Sequence, residues 1–319
     1  MTDTFGKIFR LTDGGDTHGL AMEGLIEGCP PQVCLDYDFI ERELARRAPT
    51  SDQSSTQRRE SDHVRFLSGI IDGITTGETI RFQIPNVDVQ SNEVNRHIIK
   101  PSHASYTYFK KYGYTDNELC GRASARQTIC RVVAGAIAKQ ILQPYHIAIH
   151  AETLYTGDPQ REGDTVGAVV RCTIQDVPAG LGEPVYDKFS ARLAYAMLSI
   201  NAAKGFEIGL GYNASRMAGS QYNDLQRSDF SYQTNHDGGV QAGITNGQPI
   251  YFTIAFKPIP SVRFEQQTID FKGNKVLYKG SDRNDLCVVP RVLPVVEAMA
   301  AMVTVDFLLL NSITTSYEK

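Results

Sequence analysis

Three separated segments of the sequence hold the residue types that could carry out chemistry. Residues 15–19 read GDTHG, residues 121–128 read GRASARQT and residues 283–291 read RNDLCVVPR. They lie near the start, the middle and the end of the chain, so the fold must gather them if they form one polar site. Such a site would combine a histidine, a serine and an aspartate with several arginines, which bind carboxylates and phosphates well. The pattern therefore favours an enzyme for an anionic ligand.

Two histidines are candidates for proton transfer. His18 stands between glycines and follows Asp16 and Thr17, so its ring is not expected to pack in a core, and an imidazole exchanges protons near neutral pH. His103 lies in the loop KPSHASY, which precedes a tyrosine-rich segment. A structural role is the alternative for each of them. The remaining histidines lack comparable surroundings, and we interpret them as structural.

The middle segment is a candidate anion site. Arg122 and Ser124 precede a predicted helix, whose first turn offers free backbone N–H groups and the positive end of the helix dipole. The alternative makes Ser124 an ordinary N-cap and Arg126 a surface cation. The sequence alone leaves both interpretations open.

Three more segments carry cations at the ends of predicted elements. Residues 257–261 read KPIPS and follow a predicted strand, so their lysine and serine could bind phosphate or could simply end the strand. Arg283 and Asp285 precede the last predicted helix, where an ion pair or a cap is the alternative to ligand binding. Arg46 and Arg47 could bind an anion or complement the dipole at a helix C-terminus.

Composition and charge argue against several classes of protein. Lysine and arginine number 32 against 36 aspartate and glutamate, a net charge of −4, so nucleic acid is not an expected partner. The six cysteines include no CxxC pair and no second group at metal-ligand spacing, so no metal site is predicted. Because no signal-peptide pattern is present, we expect a reduced, cytoplasmic protein.

A membrane span is not predicted either. No apolar stretch reaches the roughly 20 residues that cross a bilayer. The longest candidate, residues 288–310, is interrupted by Arg291, Glu297 and Asp306. It is interpreted as a buried helix.

The secondary-structure pattern predicts an α+β fold. Helical periodicity covers residues 36–47, 123–142, 187–203 and 290–310. Strand-like enrichment covers residues 79–84, 145–151, 166–174 and 249–256. No regular βαβ period and no Rossmann or P-loop fingerprint accompany them, so a layered α+β domain is favoured over a doubly wound one. Residues 235–247 are dense in glycine, which suits either tight turns or close approach to a ligand.

The order of these segments resembles the chorismate synthase family over essentially the whole chain. GDTHG resembles the family's Gly-Glu-Ser-His-Gly, KPSHASYTY its Arg-Pro-Gly-His-Ala-Asp-Tyr-Thr loop, and GRASARQT its Gly-Arg-Ser/Ala-Ser-Ala-Arg-Glu-Thr signature. STQRRESD, LSGIIDGITTG, KGFEIG, GGVQAGITNG, KPIPS and VVPRVLPVVEAMAAMV match further family segments. The resemblance implies one domain over residues 1–319, with a helical layer sandwiched between antiparallel β-sheets.

The resemblance also implies a reaction and its partners. The family converts 5-enolpyruvylshikimate 3-phosphate to chorismate by anti-1,4-elimination of phosphate and a proton, and it requires reduced FMN without net redox change. The chain is short for the family and has no evident insertion for a flavin reductase. NADPH is therefore expected to act only indirectly, through an external flavin reductase. A cytoplasmic homotetramer is the implied assembly.

Site residues follow from the resemblance position by position. His18 would protonate the leaving phosphate, His103 would lie beside the reduced flavin, and Asp285 would assist proton transfer there. Arg47 matches the basic region for substrate anions and the nicotinamide nucleotide. Flavin-contact positions are matched by Arg122, Ala123, Ser124, Asn201, Ala202, Ala242, Lys257, Pro258, Ile259, Pro260, Ser261 and Arg283.

Several positions depart from the family pattern. Residues that differ from the usual family residue are Asp16, Thr17, Lys100, Ser102, Ser105, Cys120, Gln53 and Ala242. Most of them surround the two candidate histidines, so they bear on flavin affinity and rate more than on the fold. They motivate one alternative, a flavin- or anion-binding paralogue without catalysis. A phosphatase-like hydrolase is the other, since histidine and arginine could also release phosphate.

Overall fold

The computed structural model describes residues 3–49, 62–87, 95–281 and 284–316. Two positions singled out from the sequence, Gln53 and Arg283, lie outside these ranges. All six cysteines lie within them, and all six are free thiols.

The helices are α1 Tyr37–Arg47, α2 Ser105–Tyr112, α3 Thr128–Leu142, α4 Phe189–Leu198, α5 Gly219–Tyr222 and α6 Leu293–Ser316. Four of them, α1, α3, α4 and α6, correspond to predicted segments, though their ends differ, whereas α2 and α5 were not predicted. Asp36 caps α1 by accepting a hydrogen bond from the amide of Phe39 at 2.9 Å. The fourth helix was predicted too long, because Ala202 has a φ of 66° and the chain then enters a strand.

Two antiparallel sheets flank the helices. The first orders its strands β1-β2-β3-β7-β4, and the second orders them β10-β13-β9-β8. Their bounds are β1 Thr4–Phe5, β2 Arg10–Gly15, β3 Ala21–Glu27, β4 Arg65–Ser68, β7 Ile80–Pro85, β8 Ala148–Thr156, β9 Ala168–Gln175, β10 Ala203–Ile208 and β13 Ile250–Phe256. Short hairpins complete the topology with β5 Ile70–Ile71, β6 Ile74–Thr75, β11 Val240–Gln241, β12 Ile244–Thr245, β14 Gln266–Ile269 and β15 Lys275–Tyr278.

The helical layer lies between the two sheets. Helix α3 packs on β2 and β3 of the first sheet, whereas α6 packs on β8 and β9 of the second. The two helices contact each other closely, because a Cβ at Gly135 of α3 would lie 2.2 Å from the Cβ of Ala298 in α6. One apolar cluster includes side chains of both sheets and of the helices between them. The predicted α+β sandwich is confirmed.

Helix α6 carries two buried carboxylates that tie the layers together. Asp306 accepts hydrogen bonds from the backbone amides of Ile8 and Phe9 at 2.7 and 3.1 Å, just before the first long strand. Glu297 accepts from Arg46 and Lys139, both at 2.6 Å, and thereby links α6 to α1 and α3. These charges interrupt an apolar helix, and each is satisfied by donors from other elements of the fold.

By length and composition alone, the stretch Leu293–Ser312 of α6 could cross a membrane. However, 83% of its most apolar window is buried inside the protein. It therefore has the surroundings of a core helix.

Candidate active site

The turn between β2 and β3 presents His18 to solvent. The Asp16 carboxylate accepts a hydrogen bond from the His18 amide at 2.8 Å, and the Asp16 carbonyl accepts one from the Gly19 amide at 2.9 Å. An Asx turn of this kind needs a short side-chain acceptor, which Asp16 supplies. The His18 side chain is exposed while Thr17 beside it is buried.

The first and second sequence segments touch directly. A Cβ at Gly121 would lie 2.0 Å from Oδ1 of Asp16, so only a glycine lets the carboxylate rest on this backbone. Arg122 donates to the carbonyl of Gly15 at 3.2 Å. Residues 15–19 and 121–128 therefore form one continuous surface.

The Arg122 guanidinium is hydrogen-bonded to side chains of the protein. Its guanidinium donates to Asp3 at 2.6 Å, to Asp13 at 3.1 Å and to the Gln127 side chain at 3.0 Å. These contacts fasten the second segment to β2. The flavin contact suggested for Arg122 stays a prediction.

Ser124 and Arg126 have clear local roles. Ser124 is an N-cap, but of the short 3₁₀ turn Ala125–Gln127 rather than of α3, and its hydroxyl accepts from the Arg126 amide at 3.2 Å. The surface position considered for Arg126 is wrong, because the residue is only 7% exposed and donates to Asp62 at 2.5 Å. Short 3₁₀ turns precede α3, which begins at Thr128 rather than at Ala123.

A chain of hydrogen bonds leads from the second segment to His103. Asn201 donates from Nδ2 to the carbonyl of Ala123 at 3.0 Å. Its neighbour Ala202 accepts from the amide of Lys257 at 2.9 Å, and Nζ of Lys257 donates to the carbonyl of Ser102 at 3.0 Å. The structure thus brings together the predicted positions 123, 201, 202, 257 and 103.

His103 is surrounded by positive charge. Burial and then the ammonium groups of Lys100 and Lys257 lower the pKa of His103 to about 4. The His103 residue as a whole is exposed to solvent, so water screens much of this effect, and the direction of the shift, which favours the neutral imidazole near pH 7, is the part that holds. A neutral ring can accept or relay a proton rather than act as a standing acid.

Residues 258–261 are held by the connection between β8 and β9. Thr165 donates from its hydroxyl to the carbonyl of Ile259 at 2.6 Å, and Tyr278 donates to the hydroxyl of Ser261 or accepts from it at 3.1 Å. The amide of Val166 donates to the carbonyl of Leu286 at 2.9 Å. This connection therefore positions both the KPIPS segment and the residue after Asp285.

Ala242 lies apart from the other predicted flavin contacts. It sits in the turn between β11 and β12 with a φ of 51°, and the neighbouring Gly243 accepts from the Phe189 amide at 2.8 Å. That contact places it at the start of α4, whereas Asn201 follows the end of the helix. At about 1.5 Å per residue, ten helical residues separate the two ends by roughly 15 Å.

Arg47 belongs to a buried arginine cluster. It is 3% exposed and donates to Thr128 Oγ1 at 3.0 Å and to the Asp62 carboxylate at 3.3 Å. Arg291 donates from Nε to the Arg47 carbonyl at 3.0 Å. Burial, followed by the charges of Arg291 and Arg126, lowers the pKa of Arg47, although a guanidinium remains protonated near neutral pH.

Asp285 joins the edge of this cluster. Its Oδ2 accepts from Nη1 of Arg291 at 2.5 Å. The sequence pattern had paired Asp285 with Arg283, whose side chain lies outside the described residues. Two members of the cluster, Asp62 and Arg291, lie at the ends of the recognised segments STQRRESD and RNDLCVVPR, but no role was predicted for either of them.

Within the described ranges, no group of three histidine, cysteine, aspartate or glutamate side chains could hold a metal ion. The donors that do converge are amides, hydroxyls and cationic side chains. A layered α+β fold with such donors around two histidines has the features of an enzyme for an anionic small molecule.

Comparison with known proteins identifies the family. The family model described as chorismate synthase matches residues 9–160 and 155–309. Chorismate synthases of Christiangramia forsetii and Flavobacterium psychrophilum are each 44% identical to the chain, over 97% and 99% of it and over 98% and 99% of their own lengths. A crystal structure of chorismate synthase superposes with a TM-score of 0.76 at 26% identity, covering 96% of the chain and 93% of that structure. The chain belongs to the chorismate synthase family and is a lyase.

The comparisons also show a length difference. The alignment to the C. forsetii protein runs over 346 positions, more than the 319 residues of the chain, so that relative has residues without a counterpart here. The two matched stretches of the family model meet at residues 155–160, at the end of β8.

Proposed function

We propose that the chain forms chorismate from 5-enolpyruvylshikimate 3-phosphate by anti-1,4-elimination, with reduced FMN as cofactor. The observation that carries this proposal is the hydrogen-bond chain that connects residues 121–128 through Asn201 and Lys257 to the loop of His103. The turn of His18 touches the same segment through Asp16. These contacts support a site in which two histidines from distant parts of the sequence border one polar region.

The donor set fits a flavin phosphate and ring. Oγ1 of Thr17 and Nε2 of Gln127 are buried and make no hydrogen bond within the described part of the chain, so both could bind a ligand. Lys100 and Lys257 add positive charge beside His103. Residues 122–124, 201–202, 257–261 and Arg283 would hold the cofactor, with Ala242 as a further contact. When bound, reduced flavin supplies electron density transiently and recovers it.

His18 would act as the general acid. Its exposed ring lies on a turn that the Asp16 carboxylate closes, so it can approach a bound phosphate without disturbing the core. An imidazolium N–H would give its proton to the phosphate oxygen as the C–O bond breaks. A positioned acid of this type contributes about 100- to 10,000-fold to rate.

His103 and Asp285 would handle the other proton. The lowered pKa of His103 favours its neutral imidazole, so a ring nitrogen would accept or relay a proton. Asp285 is oriented by Arg291 at 2.5 Å and offers a carboxylate for the same transfer. Under these assignments His18 donates a proton and His103 accepts or relays one, and the difference follows from their different surroundings.

The buried arginine cluster would form the basic wall of the substrate region. Arg47 is fixed by Thr128 and Asp62, so it would act by its field and by holding its neighbours rather than by a flexible contact. Fixed cations need no reorganisation when an anion with several negative charges arrives. Arg47 is the residue we assign to substrate or nicotinamide-nucleotide recognition.

The remaining expectations are proposals of the same kind. The chain would work in the cytoplasm as a homotetramer, with NADPH acting only through an external flavin reductase and with no nucleic acid or membrane as partner. A single domain over residues 1–319 is supported by the one apolar cluster that joins both sheets.

An anaerobic assay tests the proposal. The protein is mixed with the phosphorylated substrate and reduced FMN, and chorismate and phosphate are measured together. Equal amounts of both products, only with reduced FMN, are expected. Phosphate without chorismate, or release with oxidised FMN, would indicate a hydrolase. Ligand binding without either product would indicate a non-catalytic paralogue.

A further inference from the structure

The turn that carries His18 has little packing of its own. His18 is exposed, and Leu20 keeps 93% of its surface in contact with solvent. Thr17 is the buried side chain of residues 16–20, all of which the structure describes. The position of the turn must therefore depend mainly on hydrogen bonds.

One side chain from outside the turn supplies several of these bonds. Asn86 follows β7 and donates from Nδ2 to the carbonyls of Asp16 and Gly19, at 3.0 and 2.9 Å. Its backbone amide donates to the carbonyl of Leu20 at 2.9 Å. Asn86 thus forms hydrogen bonds with the turn on both sides of His18.

The other end of the same amide faces the arginine cluster. Oδ1 of Asn86 accepts from Nε of Arg126 at 3.2 Å. Arg126 in turn donates to Asp62, which also accepts from Arg47 at 3.3 Å. A primary amide is the one side-chain group of this size that donates two bonds and accepts another, so asparagine suits both neighbours at once.

We propose that Asn86 is a positioning residue, which holds the turn of residues 16–20 so that His18 keeps a fixed place relative to the buried Arg126. The inference rests on the proposed function of His18 and adds the group that sets its geometry. Small displacements of a reacting group from its productive geometry cost large factors in rate.

Two substitutions separate the donor role of the Asn86 side-chain amide from its acceptor role. Asn86→Asp keeps an oxygen that can accept from Arg126 but removes the two Nδ2 hydrogen bonds to the turn. Asn86→Leu removes the hydrogen bonds to the turn and the one from Arg126. Asn274→Ala is the matched control, because the Asn274 amide closes the exposed hairpin between β14 and β15 through Asp270 at 2.8 Å. Asn86→Asp serves as the test if the leucine variant does not fold.

The first measurement is amide hydrogen exchange of a peptide spanning residues 15–22, without flavin or substrate. Both Asn86 variants should raise exchange at the His18 and Gly19 amides by about tenfold or more, the factor that a lost hydrogen bond provides. The melting temperature should stay near that of the control. Wild-type exchange in the turn of Asn86→Asp would overturn the proposal.

The second measurement is a double-mutant cycle on single-turnover rate with reduced FMN. Asn86→Asp should lower the rate at least about tenfold in the wild type and have little effect in His18→Ala, because it acts through that residue. The substrate dissociation constant should change less than about twofold. Equal losses in both backgrounds would refute positioning of His18.

The same cycle distinguishes the two proposals. Near-normal turnover of His18→Ala would refute the catalytic role of His18, and positioning for catalysis with it. A large loss in His18→Ala together with full turnover in Asn86→Asp would refute the role of Asn86 alone.

Discussion

Replacing Glu297 by glutamine should lower stability in a pH-dependent way. The Glu297 side chain is 2% exposed and accepts hydrogen bonds from Arg46, Lys139 and the backbone amide of Ala151. Although burial raises its pKa, the contacts from Arg46 and Lys139 outweigh burial and lower the pKa to about 2 from an ordinary value of 4.5. The charged form is therefore strongly favoured in the folded protein.

The magnitude follows from the shift. At about 1.4 kcal/mol per pKa unit, lowering by roughly two and a half units corresponds to about 3 kcal/mol of stability at neutral pH. Because the folded-state pKa is depressed, this contribution is present above the unfolded value of 4.5 and is lost as pH falls toward 2. Glu297→Gln should lose about 3 kcal/mol at pH 7 and little near pH 2.

Urea unfolding from pH 7 down to pH 3 provides the assay, with Glu27→Gln as the control. Glu27 pairs with Arg10 at 2.9 Å on the surface, with 40% of its side chain exposed. Such a pair contributes at most about 1 kcal/mol, so the control should stay close to wild type. Equal losses in the two variants, or a Glu297→Gln loss that does not shrink on acidification, would refute the reasoning.

Three further predictions concern the site. His18→Ala should lower single-turnover rate by about 100-fold or more with substrate affinity nearly unchanged, and near-normal turnover would make the residue structural. Asp285→Asn should fold, bind oxidised FMN and substrate almost normally, and lose about 100-fold in turnover. A parallel fall in substrate affinity would instead mean that Asp285 serves mainly to hold Arg291. Lys100→Met removes a neighbouring ammonium group, so the pKa of His103 should rise from about 4, as followed by NMR of the ring protons; an unmoved value would contradict the electrostatic cause.

The sequence predicted helices better than strands, for identifiable reasons. Helix α1 was placed almost correctly because Asp36, the apolar spacing and the following proline all act locally. The strands on either side of GDTHG were not predicted, since glycines and charges in β2 obscure its alternation and pairing with β3 defines it. Likewise β10 was not predicted, and the helix before it was extended to residue 203, because the turn at Ala202 depends on tertiary contacts.

In the candidate site, too, the sequence predicted local features but not those that depend on tertiary contacts. Motifs identified His18, His103 and the 121–128 segment, whose contact through Gly121 the structure now describes. The hydrogen bonds from Asn86 to the turn and the burial of Arg126 could not be predicted from the sequence, because the contacting residues are far away in sequence. Resemblance transfers residue positions, whereas hydrogen-bond partners require coordinates.

The central place of α6 bears on how the protein is made. Every strand of both sheets precedes this helix in the chain, yet α6 contributes the apolar side chains and the two carboxylates on which the sheets depend. During synthesis the strands therefore leave the ribosome before α6, the helix against which they pack, has been made. The nascent chain exposes apolar sheet faces until residues 293–308 emerge, and this interval is when aggregation competes with folding. Folding should therefore complete only after α6 has emerged and packed against both sheets.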